Sequence, residues 1–587
     1  MRMKTLLALV SVATVVLVSA CASNTNMTDT KVVTLIHLGD IHGHMVPRPN
    51  TRSDAVANTT VGGLASMYTR VSEIRAANPN TLLVNTGDTI QGSAEALFTN
   101  GQALVDVLNL FKIDAFAPGN WEFVYGTERF RTLFAGKQPV APWGTIAANV
   151  FYDDTASPEL KGQLVLPPYI IKHVDGVKVG ILGMTTDRGP QIVGRSVTKG
   201  LRFLKNAKQA DEAASEVDMA VAKYVKQLRE VEKVQVLVLA SELGLPSNLR
   251  LAEAIAGIDV VLSSDSHEQT FAPIVTKLGT LVIEQGQDGT MIGQVDVALS
   301  QGKVMRKKFT SHAITNNIAE NPVVAAAVAK QRAAFIAGTA FNPEQKNPFS
   351  GAKLKQPIDT VVGKTAGPLN MGNYADEAMP SAVERSGHHL LTDAFKASLQ
   401  TEVGAIRGFR YGTHVAPGVV KYEDLFHFMA IGPQIAMGKV KGQAIKGQIE
   451  AAADGVFNPD VTQWTGGWMF NFSGLTMDLD IYKPRGQRAS NIQINAQPLD
   501  LNRDYSYASY WYATEPGLIN GLPASDITVL KAADGGVLDG TEVVARYIQT
   551  LPNATVPVTT PRVKLLRPLP PARFGFKELQ PLRGATP

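Results

Sequence analysis

From Val32 onward, short aliphatic and β-branched runs alternate with stretches of helical spacing. The runs at 32–38, 81–85, 145–150, 234–241 and 258–264 have the composition of strands buried on both faces, and polar residues follow each one. Between 169 and 185 two apolar runs flank Asp175-Gly176, which predicts a hairpin, and Gln301-Gly302 marks a similar turn between Val295 and Phe309. Residues 64–77 and 209–231 carry apolar side chains at helical intervals. Strands alternating with helices predict a layered α/β domain spanning 32–312. The alanine-rich, amphipathic stretch 321–337 predicts a helix within a linker, 313–356, whose later part, 342–356, reads as loop. A second unit of mixed α and β character follows at 357–566, with helices over 390–399 and 442–454 and several short strands, and a tail covers 567–587.

Length supports this division, because 587 residues exceed what one hydrophobic core organises. With 45% hydrophobic and 18% charged residues the composition is that of a globular protein. The formal charge of +4 argues against a nucleic-acid polymer as partner. The single cysteine, Cys21, changes the picture more. A short basic start, an apolar stretch at 6–18 too short to span a bilayer, and Val18-Ser19-Ala20-Cys21 together have the form of a bacterial lipoprotein signal over 1–20. That reading makes Cys21 the lipidated N-terminus and 21–31 a polar tether. It places the protein in the bacterial cell envelope, on the periplasmic face of the outer membrane, with the membrane as a partner through the lipid anchor.

The chemistry sits where strands end. Gly39-Asp40-Ile41-His42-Gly43-His44 closes the first run, and the i, i+2 spacing puts Asp40 and His42 on one side of an extended chain, where both can grip one cation. Gly87-Asp88 closes the second, and a carboxylate has two oxygens with which to bridge two cations. A third turn, Gly119-Asn120-Trp121-Glu122, presents an amide oxygen, a suitable hard ligand.

The ordered set D-x-H, G-D and G-N-x-E resembles the calcineurin-like metallophosphoesterases and, within them, the 5'-nucleotidase family. The likeness extends to the second unit through Glu384 to Asp393 and the Pro417-Gly418 turn. The resemblance implies an N-terminal layered αββα metallophosphoesterase domain and a C-terminal α+β domain of 5'-nucleotidase type. It also implies two metal ions: one held by Asp40, His42, Asp88 and His267, the other by Asp88, Asn120, Glu242 and Asp265. In the counterparts of the family's S-H-x-G and G-H-x-H segments, Glu242 and Asp265 replace two histidines. An all-oxygen second site suits manganese, with ferric iron, magnesium, calcium or zinc as further options. Asp88, Glu122 and His44 are the expected catalytic residues, and Arg407, Arg410 and Trp511 the expected substrate contacts, for a small phosphorylated substrate such as a nucleotide.

Two departures keep alternatives open. Trp121 stands where phosphatase relatives carry a histidine, and its segment, with residues 408–413, resembles the thiosulfohydrolases of sulfur oxidation. In addition, Ala430-Ile431-Gly432-Pro433 lacks the first of the two aromatic rings between which nucleotidases stack a base. A sulfur hydrolase and a binding lipoprotein without catalysis therefore stand beside the phosphoesterase. Phe470 and Phe472, at alternating strand spacing, are expected in the core, while His388, His389, His414 and His427 have no assigned role.

Overall fold

The computed structural model describes residues 30–50, 56, 58–206, 214–270, 272–371, 382–407, 415–457 and 469–569. The leader with Cys21, the segment 408–413 with Arg410, His414 and the last residues of the tail lie outside the described residues.

Two sheets face each other in the N-terminal half. The first, of five strands, runs Lys303–Ala313, Met291–Ser300, Thr30–Leu38, Thr81–Asn85, Ala115–Phe116. The second, of six, runs Ile274–Val275, Leu281–Glu284, Val260–Ser263, Val236–Ser241, Val177–Met184, Tyr169–Val174. Side-chain alternation sorts each strand between layers. Val33 and Leu35 point into the space between the sheets with Val236, Val238 and Ala240. Ile36 and Leu38 turn outward onto the helices Leu64–Ala77 and Gln102–Leu108. Leu237 and Leu239 turn outward onto Glu216–Lys226 and Leu245–Ala254. Both faces of both sheets are covered, which is why these strands read as continuous apolar runs. The result is the αββα layering that the resemblance implied.

Two expectations need adjusting. The run at 145–150 forms no single strand: Ile146 N–H donates to Phe116 of the first sheet, whereas Ala147 and Ala148 donate to Pro167 and Gly183 beside the second. The segment crosses from one sheet to the other and enters a short strand, Val150–Tyr152, only at its end. The helix expected over 209–231 begins, among the described residues, at Glu216, where Ser215 and Asp218 exchange capping hydrogen bonds with each other's backbone.

Helix Pro322–Arg332 starts on Asn321, whose side chain accepts from Val323 and Val324 N–H. Its Val324 and Val328 join the N-terminal core, and Phe335 just beyond it joins the C-terminal one. The C-terminal half contains a five-stranded sheet, Asn471–Ser473, Val403–Ile406, Asp504–Trp511, Gln434–Lys441, Ser525–Val529, flanked by helices Ser386–Leu399 and Gly442–Phe457. Phe470 and Phe472 are buried in its core, as their alternation suggested. No helix of the described residues is long and apolar enough to cross a membrane.

Candidate metal centre

Strand register assembles the centre. Thr30–Leu38 pairs in parallel with Thr81–Asn85, Leu38 opposite Asn85, so Asp40 and Asp88 leave the first sheet at the same edge. Ala115–Phe116 is parallel to its neighbour and delivers Asn120 there too. In the second sheet Ser241 lies beside Ser263 in parallel register, which sends Glu242 and Asp265 out together. Carboxyl ends of parallel strands from both sheets thus converge, the usual place for a ligand in α/β folds.

Asp40, His42, Asp88 and His267 form a buried group in which one ligand atom from each lies within 4.8 Å of all the others. His42 Nε2 is 3.8 Å from Asp40 Oδ1 and 3.6 Å from Asp88 Oδ2, and His267 Nε2 is 3.5 Å from Asp40 Oδ1. Asn120 is against Asp88, its amide nitrogen 3.1 Å from Oδ2. Glu242 is sealed from solvent and its Oε1 has no hydrogen-bond partner, while Oε2 accepts from Ser264 Oγ. Asp265 N–H points at both oxygens of Asp40, 3.3 Å away. The structure thus brings together all seven residues expected as metal ligands.

The backbone is bent to achieve this. Asp40, His42, Asp88, Asp265 and His267 all have positive φ, between 46° and 80°. Left-handed residues other than glycine are uncommon, and five at one edge mark a site whose geometry overrides local preference. Glycine closes the approach between loops: a Cβ on Gly119 would overlap the Asp88 carboxylate, and one on Gly87, whose φ is +99°, would overlap the Gly119 backbone.

Electrostatics then ask for cations. Burial drives the carboxyl of Asp88 up to about 7, and it raises Asp40 and Glu242 well above the usual range, with each carboxylate reinforcing the others. A cluster of anions in a low-dielectric place is stable only when protonated or neutralised. Oxygen and imidazole donors around an orphaned Glu242 oxygen fit divalent metal ions.

The expected catalytic residues occupy defined places. Glu122 has both oxygens engaged: Oε2 accepts from Asp88 N–H at 3.0 Å and Gly119 N–H at 2.6 Å, and Oε1 from Thr89 N–H at 2.8 Å. It ties the Asp88 loop to the Asn120 loop. His44 is buried with Nδ1 at 2.9 Å from the His42 carbonyl oxygen, and burial, with Arg48 and His42 nearby, pushes it down to about 3, so the ring is neutral. Trp121 N–H donates to Asp88 Oδ1 at 2.9 Å, and its indole belongs to an apolar cluster with Val124, Ala430 and Ile431 between the two halves. Arg407 follows the strand Val403–Ile406, and Trp511 closes Asp504–Trp511 with its indole N–H donating to the Pro516 carbonyl.

Three contributors had no readable signal. Asp288 Oδ1 lies 3.4 Å from Nδ1 of both His42 and His44. His427, from helix Tyr422–Phe428 of the C-terminal half, stacks on His44 with ring centroids 4.2 Å apart. Arg188 Nη2 donates to Asp265 Oδ2 at 2.9 Å. Of the other unassigned histidines, His389 pairs with Glu384 and His388 with Arg385.

Comparisons with known proteins agree with this architecture. The family model for calcineurin-like phosphoesterases matches residues 33–269 and that for the 5'-nucleotidase C-terminal domain matches 361–519, together more than half of the chain. Protein UshA of Yersinia enterocolitica is 22% identical over 552 residues, covering 88% of this chain and 90% of that protein. Among solved structures, the sulfate thiohydrolase SoxB of Thermus thermophilus superposes with a TM-score of 0.73 at 21% identity, over 91% of this chain and 96% of that one. A 5'-nucleotidase precursor, also from Thermus thermophilus, gives 0.71 at 21% identity, over 91% and 99%. On its fold, its two family domains and its buried Asp/His cluster, the chain belongs to the 5'-nucleotidase family of calcineurin-like metallophosphoesterases, and it is a hydrolase.

Proposed function

We propose that the protein hydrolyses phosphate monoesters of nucleotides or similar small molecules in the bacterial envelope, with Cys21 as its lipid anchor. The observation that carries the reading is the group Asp40, His42, Asp88 and His267, with Asn120 and Glu242 closed around the Asp88 side. Asp40, His42, Asp88 and His267 would hold one cation, and Asp88, Asn120, Glu242 and Asp265 the other, manganese being the best match to the oxygen-rich set. Such cations neutralise charge building on the phosphoryl oxygens and activate water. Asp88 would be the shared residue: its Oδ2 lies 3.6 Å from His42 Nε2 and 3.1 Å from the Asn120 amide nitrogen. Glu122 and His44 act as positioning residues: one has its oxygens occupied by amides, the other is a neutral ring held against the His42 carbonyl. Arg407 and Trp511, with Arg410, are assigned to the substrate.

A second reading, sulfonate hydrolysis of the thiosulfohydrolase kind, rests on Trp121. Its indole lies in the apolar cluster with Val124, Ala430 and Ile431, the last two in the segment that resembles the family's ring-bearing one. Metal analysis of the isolated protein, followed by a panel of nucleotides, sugar phosphates and a carrier-linked sulfonate on the same preparation, separates the two. Phosphate release from nucleotides in a metal-dependent manner is expected; sulfate release alone would replace the first reading by the second.

A further inference from the structure

The expected ligand set is rich in negative charge. Asp40, Asp88, Glu242 and Asp265 lie close enough to act on one another, and four ionised carboxylates would match the charge of two divalent cations. A phosphate dianion entering such a site gains little from long-range attraction. The loop after strand Val177–Met184 carries a cation, Arg188, at the edge of this set. Arg188 Nη2 donates to Asp265 Oδ2 at 2.9 Å, a charge-assisted contact, while its Nε lies 3.6 Å from Asp187 Oδ1. Arg188 and Asp265 side chains are 29% and 15% exposed, against 1–2% for Asp40 and Asp88. The pair is therefore the more exposed edge of the oxygen-rich side, and Asp265 N–H links that edge to Asp40.

We infer that Arg188 is a specificity-determining residue: its guanidinium, shared between Asp265 and Asp187 at the edge of the centre, adds one positive charge there and so favours dianionic phosphate monoesters over monoanionic diesters. The inference rests on the two-metal reading above. A lysine at 188 keeps the charge but loses the planar fork, so it retains the attraction in reduced form.

The test uses the full-length protein loaded with manganese and compares wild type, R188Q and R188K. Inorganic phosphate serves as competitive inhibitor, dimethyl phosphate as the monoanionic control, and manganese content is measured by elemental analysis on each preparation. R188Q should weaken inhibition by phosphate about tenfold, with a much smaller change for dimethyl phosphate, and R188K should recover most of the loss. Two manganese ions per chain should be present in all three proteins. Unchanged phosphate inhibition in fully loaded R188Q overturns the inference while leaving the two-metal reading intact. Loss of manganese from R188Q also overturns it, since Arg188 would then be holding the Asp265 loop. A wild-type protein that takes up no manganese overturns the inference together with the reading beneath it.

Discussion

The two sides of the centre are built to opposite plans. On the histidine side, His267 lies against Asp40, Asp288 backs His42 and His44, and His44 and His427 seal the edge by stacking across the two halves of the chain. Ion pairs reinforce that seam: Arg48 reaches Asp424 and Glu423, and Arg332 reaches Glu423 and Glu95. On the oxygen side, Asn120 lies against Asp88, Glu242 accepts from Ser264 Oγ, and Asp265 pairs with a partly exposed Arg188. Neutral imidazoles pack without a cation, but each side also carries a buried carboxylate, Asp40 on the first and Glu242 on the second, that repels Asp88 and needs a cation or a proton to be stable.

The largest effect expected from breaking this arrangement is at the residue both sides share. Asp88→Asn should lower kcat by roughly three orders of magnitude, about 4 kcal/mol in the barrier, with the fold retained. Turnover close to wild type, with circular dichroism unchanged, would end the two-metal reading. Asp288→Ala removes a carboxylate that lies against His42 and His44 on the histidine side. Removing the carboxylate behind a ligating histidine costs about 10–100-fold in metal affinity, so titration with a chelator should show one of two ions weakened and the other unaffected. Equal weakening of both would mean that the two sides are not independent.

A smaller effect separates the metal-free protein from the loaded one. Asp40, Asp88 and Glu242 have folded-state carboxyls raised above their unfolded values, chiefly by burial. The native state therefore binds more protons than the unfolded state between about pH 4 and 7, and stability falls as pH rises through that window. The melting temperature of the stripped protein should drop by a few degrees between about pH 5 and 8. Manganese should abolish the slope by replacing the protons, and a stripped protein that gains stability over the same window would contradict the assignment of these carboxylates to a dry cluster.

Much of this was readable in the chain. Strand runs at 32–38 and 81–85, the helix Leu64–Ala77 and both hairpin turns follow from apolar pattern and turn residues alone, because backbone preference and local burial act over a few positions. The motifs at Asp40, Asp88 and Asn120 were legible for a similar reason: each is a short segment whose spacing mirrors the end of one strand.

What the sequence could not reveal depends on contacts between segments far apart in the chain. Arg188 meets Asp265 across 77 residues and His42 meets Asp288 across 246, with no periodicity to announce either pairing. The run at 145–150 had the composition of a strand, yet its hydrogen bonds are divided between two sheets. Glu122 read as a candidate acid until the tertiary structure surrounded it with three amides. Residue type sets which chemistry a side chain is capable of, and that much the sequence determined. Whether a carboxylate binds a cation, an arginine or an amide is decided by what the folded chain places within hydrogen-bond reach, because those interactions act only over a few ångströms.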